Sequence, residues 1–122
     1  MKTLLLTAAA AAALLAPGIA AAADLTGAWK FDLNIGGMEF HAECTLAQAA
    51  AALTGSCAGA DGQPPAAVTG AVDGSTAKFA YDITYQGNPM HVAYTGAIKS
   101  DTAMDGAVDV QIAQGTFTGT KK

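Results

Sequence analysis

The side chains of this 122-residue chain that could do chemistry are few: two histidines, ten acidic residues, two cysteines and the serines Ser56, Ser75 and Ser100. His41 lies in the row Glu39-His41-Glu43, alternate residues that share one strand face. Such neighbours stand about 7 Å apart, a spacing that suits a weak surface metal contact better than a closed tetrahedral site. We therefore expect a solvated outer face and no metal. His91 is expected beside Thr84 and diagonal to Asp82, which suggests a triad. A triad also needs a nucleophile aimed at an oxyanion site. The three serines fall at strand ends or turns, and no strand–turn–helix elbow exists to present one. Asp105 and Asp109 share an outward face, and no carboxylate is expected inside, so nothing indicates a paired acid–base role. Calcium-loop spacing is missing, and no glycine-rich loop leads into a helix that would bind phosphate. The expectation is a protein with no catalytic residues and no cofactor.

Composition narrows the classes further. With 13% charged residues against 52% hydrophobic, the chain is no disordered polyampholyte. A formal charge of -4 and the absence of arginine argue against a nucleic-acid surface, which needs cations to meet phosphates. The first 23 residues read as a secretory signal: Lys2, the apolar run Leu4 to Leu15, the breaker Pro17-Gly18, and Ala21-Ala22-Ala23 before Asp24. That run is too short to span a bilayer, and no second hydrophobic span follows. The expected product is a single periplasmic or secreted domain over residues 24–122.

These side chains would be carried on strands. Apolar residues recur with a period of two almost throughout. Leu25, Gly27, Trp29, Phe31 and Leu33 share one parity, as do Met38 to Leu46, Leu53 to Cys57, Val68 to Val72, Phe79 to Tyr85, Met90 to Ile98, Met104 to Val110, and Phe117 with Gly119. Turn signals separate them at Gly36-Gly37, Asp73-Gly74, Gln86 to Pro89 and Ser100-Asp101, with a loop at Ala60 to Pro65. Pairing Tyr85 with Met90 predicts Ile83 opposite Val92, Tyr81 opposite Tyr94 and Phe79 opposite Gly96. Pairing Val72 with Ala77 sets Phe79 against Gly70, making Phe79 a keystone between two glycines. Eight sequential strands with inward glycines predict an all-β, antiparallel up-and-down barrel.

Cys44 and Cys57 have matching parity on neighbouring strands. In an exported domain they predict one disulfide, with Gln48 facing Leu53 and a loop at Ala49 to Ala52. All eight aromatic residues have inward parity. An eight-stranded barrel is just wide enough to be filled or to hold one small ligand. Trp29, Tyr81, Tyr85, Met90 and Tyr94 are the candidate ligand-contacting residues. With no inward charge, the expected ligand is apolar or neutral and hydrogen-bonding.

Leu25-Thr26-Gly27-Ala28-Trp29, Leu53-Thr54-Gly55-Ser56-Cys57 and Val68-Thr69-Gly70 ahead of Asp73 resemble the opening strands of the avidin and streptavidin barrels. The resemblance covers the first half of the exported chain and implies a calycin-type barrel. It does not imply biotin: Phe31, Ile35 and Cys57 stand where that family contacts its ligand, and Trp29 is the sole tryptophan. Gly27-Ala28-Trp29 with one disulfide is also similar to the small periplasmic inhibitors of bacterial metalloproteases, which block their target with an N-terminal trunk. The leading expectation is a binding barrel for a small apolar ligand. The alternatives are a protease-inhibitor-like barrel, with a protein partner, and a structural extracytoplasmic domain without a ligand.

Overall fold

In the computed structural model, residues 23–58 and 63–122 are described, so the expected signal sequence lies outside the described residues but for Ala23, as do Ala60, Asp61 and Gly62 of the Ala60 to Pro65 loop. Eight strands follow one another: β1 (Gly27–Ile35), β2 (Met38–Ala49), β3 (Ala52–Cys57), β4 (Ala66–Asp73), β5 (Thr76–Tyr85), β6 (Asn88–Ser100), β7 (Ala103–Asp109) and β8 (Gln114–Lys121). Each pairs antiparallel with the next, and β8 returns to β1, where Phe31 meets Gly119 and Leu33 meets Phe117. The sheet thus closes into the up-and-down barrel expected from the alternation, with no exposed edge. No described helix is long and apolar enough to cross a membrane.

Alternation governs burial strand by strand. On β1, Trp29, Phe31 and Leu33 are buried while Lys30, Asp32 and Asn34 are exposed. The core is a connected aromatic cluster. Phe31 stacks on Trp29 at 5.9 Å and touches Phe79, Tyr94 and Phe117 at 5.6, 5.4 and 5.8 Å. Cys44 and Cys57 are disulfide-bonded across β2 and β3, in the register that sets Gln48 opposite Leu53. Closing a loop of this length contributes about 3 kcal/mol in the chain-entropy account.

Two turns differ from expectation. The β5–β6 connection is two residues long, because Gln86 and Gly87 both take positive φ (51° and 82°), the geometry of a tight hairpin turn. Ile83 therefore faces Met90, Tyr81 faces Val92 and Phe79 faces Tyr94, two residues away from the expected pairing. Phe79 does lie opposite Gly70, where an added Cβ would come within 2.6 Å of the Phe79 Cβ. Gly96 instead faces Ala77, and its bare backbone is covered by Phe117, whose Cζ stands 2.9 Å from where a Cβ would sit. The keystone role is thus divided between two rings. The β2–β3 turn is likewise shorter than expected: Ala49 still pairs with Ala52, and Ala50, at φ 55°, makes the turn with Ala51.

Candidate functional site

The barrel's two ends are finished differently. At the end bearing the Ala50-Ala51, Gly74-Ser75 and Asp101-Thr102 turns, residues 23–26 cross the opening. Leu25 is fully buried there, its N–H donating to Gln48 Oε1 at 2.9 Å. Trp29 Nε1 donates to the Leu25 carbonyl at 2.8 Å, and Lys121 Nζ donates to the Asp24 carbonyl at 3.0 Å. Leu25 therefore acts as a stopper over Trp29, and its backbone polar groups are satisfied by doing so.

At the other end lie the Gly36-Gly37 and Gln86-Gly87 turns and the Val110–Ala113 connection. Here the inward positions enclose an open cavity of about 700 Å3. Leu33, Ile35, Phe40 and Ala42 supply one wall from β1 and β2, while Ile83, Tyr85, Met90 and Val92 supply the opposite wall from β5 and β6. Val110, Ile112 and Ala113 close a third side. The rim carries the exposed large apolar side chains found among the described residues: Ile112 at 84%, Met38 at 59% and Tyr85 at 39% exposure. Gln111, at φ 77°, shapes the loop that presents Ile112, with its N–H held by Asp109 Oδ1 at 2.8 Å. A pocket of this volume with apolar walls and few polar groups suits a small organic molecule.

Of the candidate contact residues, Tyr81, Tyr85 and Met90 line this cavity. Trp29 lies beneath the stopper at the opposite end, and Tyr94 does not line the cavity: it is buried beneath Tyr81 and packed against Phe79 at 4.7 Å. The one polar feature of the floor is a hydrogen bond of 2.6 Å between the Tyr81 and Tyr94 hydroxyls. Burial pushes the pKa of both phenols up, so both stay protonated across the physiological range. Besides the two tyrosines, Glu43 and His41 are the ionisable side chains that line the cavity. The Lys122 ammonium beside Glu43 holds its carboxyl below the usual carboxylate range.

The polar row on β2 is not a single cluster. Glu43 pairs with Lys122, while His41 Nδ1 meets Asp32 Oδ1 at 2.6 Å across the β1–β2 ladder. His91 meets Asp82 in the same way at 2.8 Å; the shifted register puts them directly opposite rather than diagonal. No group of three metal-ligating side chains is present among the described residues.

The two Asp–His pairs have the same separation, nine residues in each hairpin. The hairpins correspond position by position around them: Phe31 with Tyr81, Leu33 with Ile83, Ile35 with Tyr85, Gly37 with Gly87, Phe40 with Met90 and Ala42 with Val92. Four strands apart in an eight-stranded barrel, they face each other across the mouth. Leu33, Ile35, Phe40, Ile83 and Ile112 were not singled out from the sequence, and this repeated hairpin is the signal that would have marked all but Ile112.

No family model and no curated protein matches the chain. Among solved structures it is similar to a redesigned β-barrel, at 16% identity and a TM-score of 0.55, over 80% of this chain and 90% of that one. That likeness supports the barrel fold and shows no kinship with the avidin or other calycin families.

Proposed function

We propose that this protein is an exported, non-enzymatic binding barrel that takes up a small, neutral, apolar molecule at its open end. The carrying observation is the contrast between a stoppered end and an apolar mouth of about 700 Å3. A barrel serving only as a scaffold gains nothing from leaving large apolar side chains such as Ile112 in water. The signal-like N-terminus and the disulfide between Cys44 and Cys57 support a periplasmic or secreted location. The protease-inhibitor reading calls for a free N-terminal trunk, whereas residues 23–26 are engaged in stoppering the barrel.

Titrating the exported protein with an environment-sensitive hydrophobic dye tests the proposal, with energy transfer from Trp29 as internal reporter. We expect saturable binding at one site that barely changes with added salt, because no charge pairing is involved. Absence of saturable binding would remove the small-ligand reading and leave the outer surface as the working part.

A further inference from the structure

The hydroxyl pair in the cavity floor has an unequal proton count, and this deepens the binding reading, on which it rests. Each phenol carries one donor proton and can also accept. The single bond between Tyr81 and Tyr94 uses one of the two protons, and among the described residues neither hydroxyl has another partner. One O–H is therefore left over in a site made mostly of hydrocarbon. Which phenol keeps it follows from their surroundings. The Tyr94 ring is packed among Phe31, Phe79 and Phe117 at 5.4, 4.7 and 5.0 Å, with no acceptor in view. Tyr81 borders the cavity. A buried donor without an acceptor is costly, so the favoured arrangement has Tyr94 donating to Tyr81. The spare Tyr81 proton is then free for whatever occupies the mouth.

We infer that the ligand is an uncharged apolar molecule with a hydrogen-bond acceptor, a ketone, ester or amide carbonyl, at its inward end, received by the Tyr81 hydroxyl. No lysine or arginine lines the cavity, and the charged groups at its edge are already paired, Glu43 with Lys122 and His41 with Asp32, so no free cation awaits a carboxylate. Because burial keeps both phenols protonated, the donor persists throughout the physiological pH range. A saturated hydrocarbon of the same shape would fill the walls and leave the spare donor unpaired. Discrimination between two such molecules is what a site with one buried polar group achieves.

The test compares 2-acetylnaphthalene with its near-isostere 2-ethylnaphthalene, which differ at the carbonyl. The native protein is expected to bind the ketone about tenfold more tightly, the range of one hydrogen bond. The Tyr81→Phe variant should bring the two affinities together. The carbonyl stretch of bound 2-acetylnaphthalene in the native protein gives a readout independent of any variant's folding, and should lie below its frequency in alkane solvent. Equal affinities, a preference that survives Tyr81→Phe, or an alkane-like carbonyl stretch would each overturn the acceptor inference while leaving the binding reading in place. Failure of both compounds to bind would overturn the binding reading itself.

Discussion

At one end of the barrel, Leu25 folds across the opening and its carbonyl accepts a hydrogen bond from the Trp29 indole N–H. At the other, the β1–β2 and β5–β6 hairpins run out into water with Ile35, Ile83, Tyr85 and Met90 ringing an open mouth. The strands do not reach both ends alike: the β2–β3 ladder stops at Cys44 and Cys57 and the β4–β5 ladder at Thr69 and Ala80, so the β1–β2 and β5–β6 hairpins run on past β3 and β4 to wall the mouth. Side-chain volume sharpens the contrast. Trp29, Phe31, Phe79, Tyr94 and Phe117 form one connected cluster below the mouth, with Trp29 joined to it through Phe31. Towards the mouth the inward positions are chiefly aliphatic residues and Ala42, which do not meet across the lumen. A further contribution comes from outside the strands: a short segment ahead of β1 fills the last layer, and no described segment does so at the other end. A small barrel can thus be half core and half vessel, and the division is set by unequal strand lengths, a few large side chains and one stopper.

The comparison would break first at the filled end. Phe79→Ala should destabilise the protein by about 3–5 kcal/mol, as removal of a buried ring does, measured by denaturant unfolding. A loss below about 1 kcal/mol would mean that this side is no better packed than a surface. A smaller effect is expected at the floor between the two regions. Burial raises the pKa of Tyr81 and Tyr94 above the ordinary 10.0. The unfolded chain therefore releases these protons first. Their contribution to stability is complete below pH 10 and is lost as pH climbs from there through the raised pKa of each phenol. Alkaline unfolding curves of the native protein and of the Tyr81→Phe/Tyr94→Phe variant check this; coincident pH slopes would contradict a buried floor. The smallest change is expected at the mouth. Ile112→Ser should alter stability by no more than about 0.5 kcal/mol. It should nevertheless weaken dye binding about fivefold, half of what burying an isoleucine is worth. A large stability loss there would make Ile112 part of the core rather than of a binding rim.

Several of these features are local enough to be read from residues alone. Strand alternation has a period of two, so the parity of Trp29, Phe31 and Leu33 decides their face without reference to any partner. The disulfide follows from the same parity, since Cys44 and Cys57 share a face and a hairpin. The pairing of Tyr81 shows where that reasoning ends. A hairpin turn of two residues and one of four give pairings that differ by two. A slip of two keeps every side chain on its face, so hydrophobic pattern alone could not choose between them. The positive φ of Gln86 and Gly87 made the choice, placing Phe79 opposite Tyr94 and His91 opposite Asp82. The binding region was partly legible: Tyr81, Tyr85 and Met90 do line the mouth, whereas Trp29 and Tyr94 have the same parity at other heights along the axis. Parity says inside or outside; height depends on strand stagger and on what fills the lumen.

The sequence by itself determined the alternation, the eight-strand order, the disulfide and the absence of inward charge, because each depends on residue type and near neighbours. Only the tertiary structure decided which end is closed, since Leu25 reads from sequence as one more strand residue and becomes a stopper only when closure brings Gln48 and Trp29 around it. It also decided how the two phenols meet. The sequence pairing sets Tyr81 directly opposite Tyr94, whereas in the structure they are diagonal neighbours on the β5–β6 hairpin, Tyr81 facing Val92 and Tyr94 facing Phe79, and their hydroxyls come within 2.6 Å.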